Sequence, residues 1–233
     1  QAAVVAAVGK AHGQHLHELS WARDDRPVDV VTGDRDLFQL VDDAKAKRVL
    51  YTAARGVGRL VVVDEAYGQF APWSALELIN EETPLVVTRT FSKTWSMAAA
   101  RLGYLIGPRW LVAELDKVVL PYHLDTAKQI AGTLAVQFQG DMEERVRTIV
   151  AERQRLVNAL ASLDVDVFES GANFILMRPR SKSGRTVWQG LLDRSVLIRD
   201  CSSWPRLADC LRVTIGTQEQ DDIFLNALTE VLS

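Results

Sequence analysis

A lysine closes the run Thr90-Phe91-Ser92-Lys93, and an arginine follows in Arg101-Leu102-Gly103-Tyr104. Upstream, Val61-Val62-Val63-Asp64-Glu65-Ala66-Tyr67 carries a β-branched run into a carboxylate and a phenol. These residue types define a chemistry. A primary amine bonds covalently to a carbonyl group, a carboxylate keeps a ring nitrogen protonated, and hydroxyls with a guanidinium hold a phosphate. Pyridoxal phosphate asks for all three. The sequence offers residues of all three kinds, and Lys93 reads as a covalent cofactor anchor.

Positioning these groups requires strands. The runs before Asp64 and before Ser92-Lys93 both read as strands, with room between them for one crossover. Parallel strands deliver their polar ends to one sheet edge, where open α/β sheets bind ligands. Taken singly, each residue has a plainer role: Asp64 as a solvated strand end, Lys93 as a surface lysine, Tyr67 as a core aromatic with a bonded hydroxyl, Arg212 as an exposed position on an alternating strand. Their joint order carries the catalytic interpretation.

With Val-Asp-Glu-Ala-Tyr at 63 to 67, Thr-Phe-Ser-Lys at 90 to 93, Arg-Leu-Gly-Tyr at 101 to 104, Ala-Asn-Phe at 172 to 174 and Leu-Arg-Val-Thr-Ile-Gly-Thr at 211 to 217, the chain from about 60 to 233 resembles the fold-type I pyridoxal-phosphate aminotransferases, in particular their histidinol-phosphate branch. The resemblance implies an α/β fold: part of the aminotransferase large domain, followed by a C-terminal α+β small domain. It makes Lys93 the Schiff-base lysine, Asp64 the pyridine-nitrogen partner and Tyr67 a donor to the cofactor phenolate oxygen. Ser92 and Arg101, with Thr90 beside them, would bind the cofactor phosphate. Arg212 would clamp the substrate α-carboxylate with its two-pronged guanidinium, and Arg199 in Leu-Ile-Arg-Asp would help hold a substrate phosphate. Arg199 could equally pair with Asp200. The implied reaction is transamination between an imidazole or aromatic amino compound and 2-oxoglutarate, in a cytoplasmic homodimer.

The upstream part differs. Val28 to Val41, continuing to Arg48-Val49-Leu50-Tyr51, resembles the 5′-3′ exonuclease (flap nuclease) family, whose Gly-Asp-x-Asp aspartates hold divalent metals. The family's further carboxylates are missing, so Asp34 and Asp36 are expected to cap and begin a helix rather than hold metal. Two partial resemblances thus meet near 56 to 60. The Gly-rich phosphate turn, the stacking aromatic and the Asn-Pro-x-Gly turn of the aminotransferases find no counterpart here. The expectation is weakened cofactor binding and turnover, with a non-catalytic scaffold as the alternative.

Composition narrows the classes. Hydrophobic residues are 48% and charged residues 24%, the balance of a globular protein with a core rather than a disordered chain. A net charge of −3 argues against a general nucleic-acid surface. Cys201 and Cys210 lack zinc-site spacing and fit a reducing compartment. No apolar stretch approaches membrane-spanning length, and the opening residues make a poor signal peptide. The lack of an initiating Met is expected to mean a missing start. His12, His15 and His17 fit a solvated helix face better than a metal site, and His123 a loop.

The expected order of elements is a helix over 1–19, a strand over 28–32, a helix over 37–43, and strands over 49–52, 60–63, 85–90 and 102–106. A helix begins at Pro108, and helical spacing runs from Thr126 to Leu163. Strands over 165–168, 174–177, 196–198 and 211–215 then alternate with helices over 186–193 and 221–232. The expected division is an N-terminal segment 1–59, a partial cofactor-binding domain 60–150 and a small domain 151–233.

Overall fold

Apolar alternation gives way to continuous burial where a strand is covered on both faces, and Leu60–Asp64 (β3) behaves in that way. The computed structural model describes residues 3–6, 28–32 and 60–233. In β3, Val61 and Val63 pack on one side with Leu85, Val87 and Ala75, while Leu60 and Val62 pack on the other with Val86, Leu105, Leu111 and Val112. Double-sided burial is what a parallel strand under crossovers requires.

The described strands of the first unit, Gln1–Glu143, form one sheet in the order β1-β5-β4-β3-β2. The strands are Ala3–Ala6 (β1), Val28–Thr32 (β2), β3, Leu85–Thr90 (β4) and Gly103–Gly107 (β5). Strands β2, β3 and β4 are parallel; β5 runs antiparallel to β4, and β1 antiparallel to β5. Thr90 stands opposite Gly103, so the chain leaving β4 and the chain entering β5 share one edge. Arg109–Asp116 (α1) and Thr126–Val136 (α2) follow. Gly132 of α2 lies so close to Leu102 that an added Cβ would stand 2.7 Å from the leucine Cδ2. Only glycine allows this approach without displacing Leu102.

The second unit, Glu144–Ser233, has its own core. The remainder of the long helix Gln139–Leu160 (α3) contributes Leu156 and Leu160, which pack with Val165, Ile175, Met177, Leu211, Phe224 and Leu228. Its antiparallel sheet has the order β6-β7-β9-β8, from Val165–Val167 (β6), Phe174–Pro179 (β7), Arg199–Asp200 (β8) and Leu211–Thr214 (β9). Gly184–Leu192 (α4) and Gln218–Leu232 (α5) complete it. A reciprocal capping box starts α5: Gln220 N–H donates to the Thr217 hydroxyl, and Thr217 N–H to the Gln220 side chain.

Three expectations fail. Residues 3–6 form a strand rather than helix, because Ala-Val-Val-Ala finds an open edge on β5 and β-branched residues favour such pairing. The helical run from Thr126 to Leu163 breaks at Gln137 and Phe138, whose N–H groups donate to Leu134 and Ala135 carbonyls and tighten the final turn of α2. Residues 196–198 do not join the sheet: Val196 N–H donates to Leu191 O, and Ile198 O accepts from the Trp188 indole at 3.0 Å. Backbone groups committed elsewhere cannot extend a ladder. The helices expected over 1–19 and 37–43 beyond these points, the strand over 49–52, and His12, His15, His17, Asp34 and Asp36 lie outside the described residues.

Among the described residues no helix is long and apolar enough to cross a membrane.

Candidate active site

The polar ends of β3 and β4 meet at one edge because the two strands are parallel and in register, with Asp64 opposite Thr88. Asp64 ends β3, and its Oδ1 accepts from the Ala66 N–H at 3.0 Å, which sets the carboxylate against its own turn. The chain then passes Glu65 and Tyr67 into a short 3₁₀ turn, Gly68–Phe70. Lys93 follows β4 in a turn, and its Nζ lies 4.7 Å from the centroid of the Tyr67 ring. A cation over an aromatic face is attracted by the ring quadrupole.

The turn after β4 is built from its own polar groups. Ser92 N–H donates to the Thr90 hydroxyl at 3.0 Å, and that hydroxyl faces Leu102 O at 3.4 Å. Phe91 is buried and anchors the turn in a cluster with Leu102 and Leu124, its ring 5.4 Å from both Trp95 and Tyr104. Arg101 arrives from the other side because β5 is antiparallel. Its Nη1 donates to Ala98 O at 2.9 Å and faces the Ser92 hydroxyl at 3.4 Å. Arg101 itself has φ 50 and ψ 41, the left-handed region that a non-glycine residue seldom adopts. A hydroxyl, an exposed guanidinium and an amine therefore share one edge with a carboxylate and a phenol. This collection can hold a phosphorylated carbonyl compound and move a proton near it.

Two features of this edge were not read as functional from the sequence. Glu65, 7% exposed, accepts from Ala75 N–H at 2.6 Å and from Ser74 Oγ, while Arg89 donates to it through Nε at 3.1 Å and Nη2 at 2.8 Å. This partly buried ion pair, with both N–H groups on Glu65 Oε2, fastens the end of β3 to the end of β4. The second is a bond between Thr94 and Gln69 at 2.8 Å. Glu65 stood inside the quoted Asp-Glu-Ala-Tyr motif, yet nothing in one sequence pairs it with Arg89.

In the second unit, Arg199 of β8 stands directly opposite Arg212 of β9. Like charges across an antiparallel pair repel, so the arrangement suits a shared anion. Arg212 lies with its guanidinium carbon 4.8 Å from the Phe174 ring centroid. The Asp200 carboxylate accepts from Ser202 N–H at 2.9 Å and pairs with Arg185 at 3.8 Å. The Ser202 bond holds the Asp200 carboxyl below its ordinary range.

Comparison with known proteins defines the class first. A solved histidinol-phosphate aminotransferase from Clostridium acetobutylicum matches with a TM-score of 0.77 at 25% identity, over 91% of this chain and 65% of that one. Another, from Sinorhizobium meliloti and in complex with pyridoxal-5′-phosphate, matches with a TM-score of 0.72 at 25% identity, over 91% and 58%. The fold is that of a partial fold-type I aminotransferase. The sequence model described as aminotransferase class I and II matches residues 41–228, and the chain belongs to that family. Histidinol-phosphate aminotransferase from Ruminiclostridium cellulolyticum is 34% identical over 182 residues, 78% of this chain and 49% of that protein. The chain spans about half the length of the curated relatives it matches.

These matches correct the upstream expectation. The family match begins at residue 41, inside the stretch 28–60 that resembles a nuclease, and the structural matches extend over nine-tenths of the chain. The exonuclease resemblance receives no support: a short Gly-Asp-x-Asp run is too small a pattern to outweigh a match of this extent.

Proposed function

We propose that this chain acts as a pyridoxal-phosphate-dependent aminotransferase of the histidinol-phosphate or aromatic amino acid type. One observation carries the proposal: the Lys93 amine rests over Tyr67 at the edge where Asp64 and the Ser92 and Arg101 pair converge. The donor set fits the cofactor: one amine for its aldehyde, one fixed strand-end carboxylate for its ring nitrogen, and a hydroxyl with a guanidinium for its phosphate.

When bound, the cofactor supplies an electron sink for the bond broken at the substrate α-carbon. The chain's own residues do the rest. Lys93 would hold the cofactor through its amine and serve as the proton carrier at the substrate α-carbon. Asp64 would keep the ring-nitrogen proton, and Tyr67 would donate to the phenolate oxygen. Ser92 and Arg101 would bind the phosphate, with Thr90 shaping the turn through its bond to Ser92 N–H. Arg212 orients the substrate carboxylate, and its cross-strand neighbour Arg199 favours a substrate with a second anionic group.

The proposal extends to an amino donor with a 2-oxo acid acceptor, a homodimer, the division into parts 60–150 and 151–233, and a cytoplasmic setting. The last is supported by Cys201 and Cys210, which are buried and unbridged although Cys201 N–H donates to Cys210 O. Borohydride reduction in the presence of pyridoxal phosphate, followed by peptide mapping, tests the assignment. A pyridoxyl group on Lys93 is expected; label on another lysine, or on none, overturns it.

A further inference from the structure

We propose that Thr94 and Gln69 are positioning residues, joined by one partly buried hydrogen bond that holds Lys93 against Tyr67. The proposal rests on the aminotransferase assignment of Lys93. Thr94 directly follows Lys93 and is 2% exposed. Its hydroxyl donates to Gln69 Oε1 at 2.8 Å, and Gln69 Nε2 faces Met142 Sδ at 3.6 Å. Gln69 lies in the 3₁₀ turn that Tyr67 opens. The bond therefore ties the loop after β4 to the loop after β3, one residue from the amine and two from the phenol.

Thr94 is 2% exposed, and Trp95 and Phe91, near it in the chain, belong to an apolar cluster. Valine has the shape of threonine without the hydroxyl. A threonine there places its polar atom on Gln69, and a hydrogen bond has a direction that packing lacks. The effect falls on Lys93. Ser96 N–H donates to Lys93 O at 3.1 Å, which closes the turn after Lys93, and the Thr94 tie anchors that turn to the loop after β3. With the turn held in this way, the amine keeps its 4.7 Å approach to the Tyr67 ring. A catalytic group misplaced by about 1 Å loses on the order of a hundredfold in rate, so a tie one residue away is well placed to matter.

The test compares Thr94→Val, Thr94→Ser and Gln69→Leu with the parent protein, each checked for a folded circular-dichroism spectrum. The first readout needs no cofactor: the rate of Lys93 acetylation by acetic anhydride, measured by peptide mass mapping against Lys117 in the same sample. Thr94→Val and Gln69→Leu should raise the relative rate about fivefold, the shift that loss of one net hydrogen bond produces. Thr94→Ser, which keeps the hydroxyl, should restore the parent rate. The second readout is the affinity for pyridoxal phosphate and the pH at which its visible absorbance changes; both should move in Thr94→Val and return in Thr94→Ser. An unchanged Lys93 rate in both folded Thr94→Val and Gln69→Leu overturns the proposal. So does a Thr94→Ser variant as altered as Thr94→Val, since shape rather than the hydroxyl would then govern. If the acetylation rates shift as expected while the parent protein fails to bind pyridoxal phosphate, the tie stands and the functional assignment falls.

Discussion

At the scale of single residues, the site depends on close approaches that tolerate no added atom. Gly68 follows Tyr67, and a Cβ there would stand 2.7 Å from Glu65 Cβ and 2.8 Å from its Cγ. Glu65 cannot step aside, because Arg89, Ser74 and Ala75 hold its carboxylate. Gly68→Ala should destabilise the protein by about 1–3 kcal/mol through overpacking. Its effect should reach beyond stability, since displacing Glu65 disturbs Asp64 beside it. Urea unfolding gives the first quantity, and the pyridoxal phosphate affinity of the folded variant gives the second. Arg101 is a case of another kind: it adopts left-handed backbone at φ 50, a conformation costing about 1–3 kcal/mol in a non-glycine residue, and here the guanidinium gains a bond to Ala98 O.

At the scale of elements, α5 carries an acid where an apolar residue would be expected. Asp221 is 2% exposed in the first turn of α5, with Oδ1 accepting from Gly216 N–H at 3.1 Å. Burial pushes its carboxyl up to about 6, and the facing Glu152 of α3 pushes the same way, against the Gly216 N–H and Arg155. Glu152 itself is held below its ordinary range by Arg155, so the proton shared by the two acids belongs to Asp221. The folded-state value lies above the unfolded one, so the folded chain retains a proton that the unfolded chain releases between about pH 4 and 6. Stability from this group is present below that window and lost through it. Asp221→Asn keeps an acceptor for Gly216 and a donor for Glu152 without the charge. The variant should gain about 1–2 kcal/mol over the parent at pH 7.5 and nothing at pH 4. The variant-minus-parent difference in urea midpoint isolates this effect from acids such as Asp166, which Arg180 and Arg178 hold low and which contribute in the opposite sense.

At the scale of the whole molecule, the residues named in the proposal are divided between the two units. Lys93, Asp64, Tyr67, Ser92 and Arg101 belong to the first, whereas Arg199 and Arg212 belong to the second. A change in the second unit should therefore separate substrate recognition from cofactor attachment. Arg212→Lys keeps the charge and loses the planar fork, and one lost charge-assisted contact is worth about 1.5–3 kcal/mol. The concentration of amino donor needed for half-transamination should rise roughly tenfold to a hundredfold. Borohydride trapping on Lys93 should stay at the parent level. Loss of trapping together with donor recognition would mean that Arg212 acts on the fold rather than on the substrate.

Local pattern determined much of this protein. The β-branched runs before Asp64 and Ser92 mark β3 and β4, because stretches buried on both faces, 60–63 and 85–87, select Val and Leu. The motif residues from Asp64 to Arg101 are legible for the same reason: each sits at a strand end, where chemistry and chain geometry coincide. Only tertiary structure decided which ends meet. Arg101 returns to the edge of Lys93 because β5 pairs antiparallel to β4, and Arg199 faces Arg212 through a register that no spacing in the sequence encodes. The ties Glu65 to Arg89 and Thr94 to Gln69 were hidden likewise, since each joins residues about 25 positions apart whose pairing exists only after the strands align. Residues 3–6 and 196–198 departed from expectation because available partners decided them, pairing with β5 in one case and backbone groups committed elsewhere in the other.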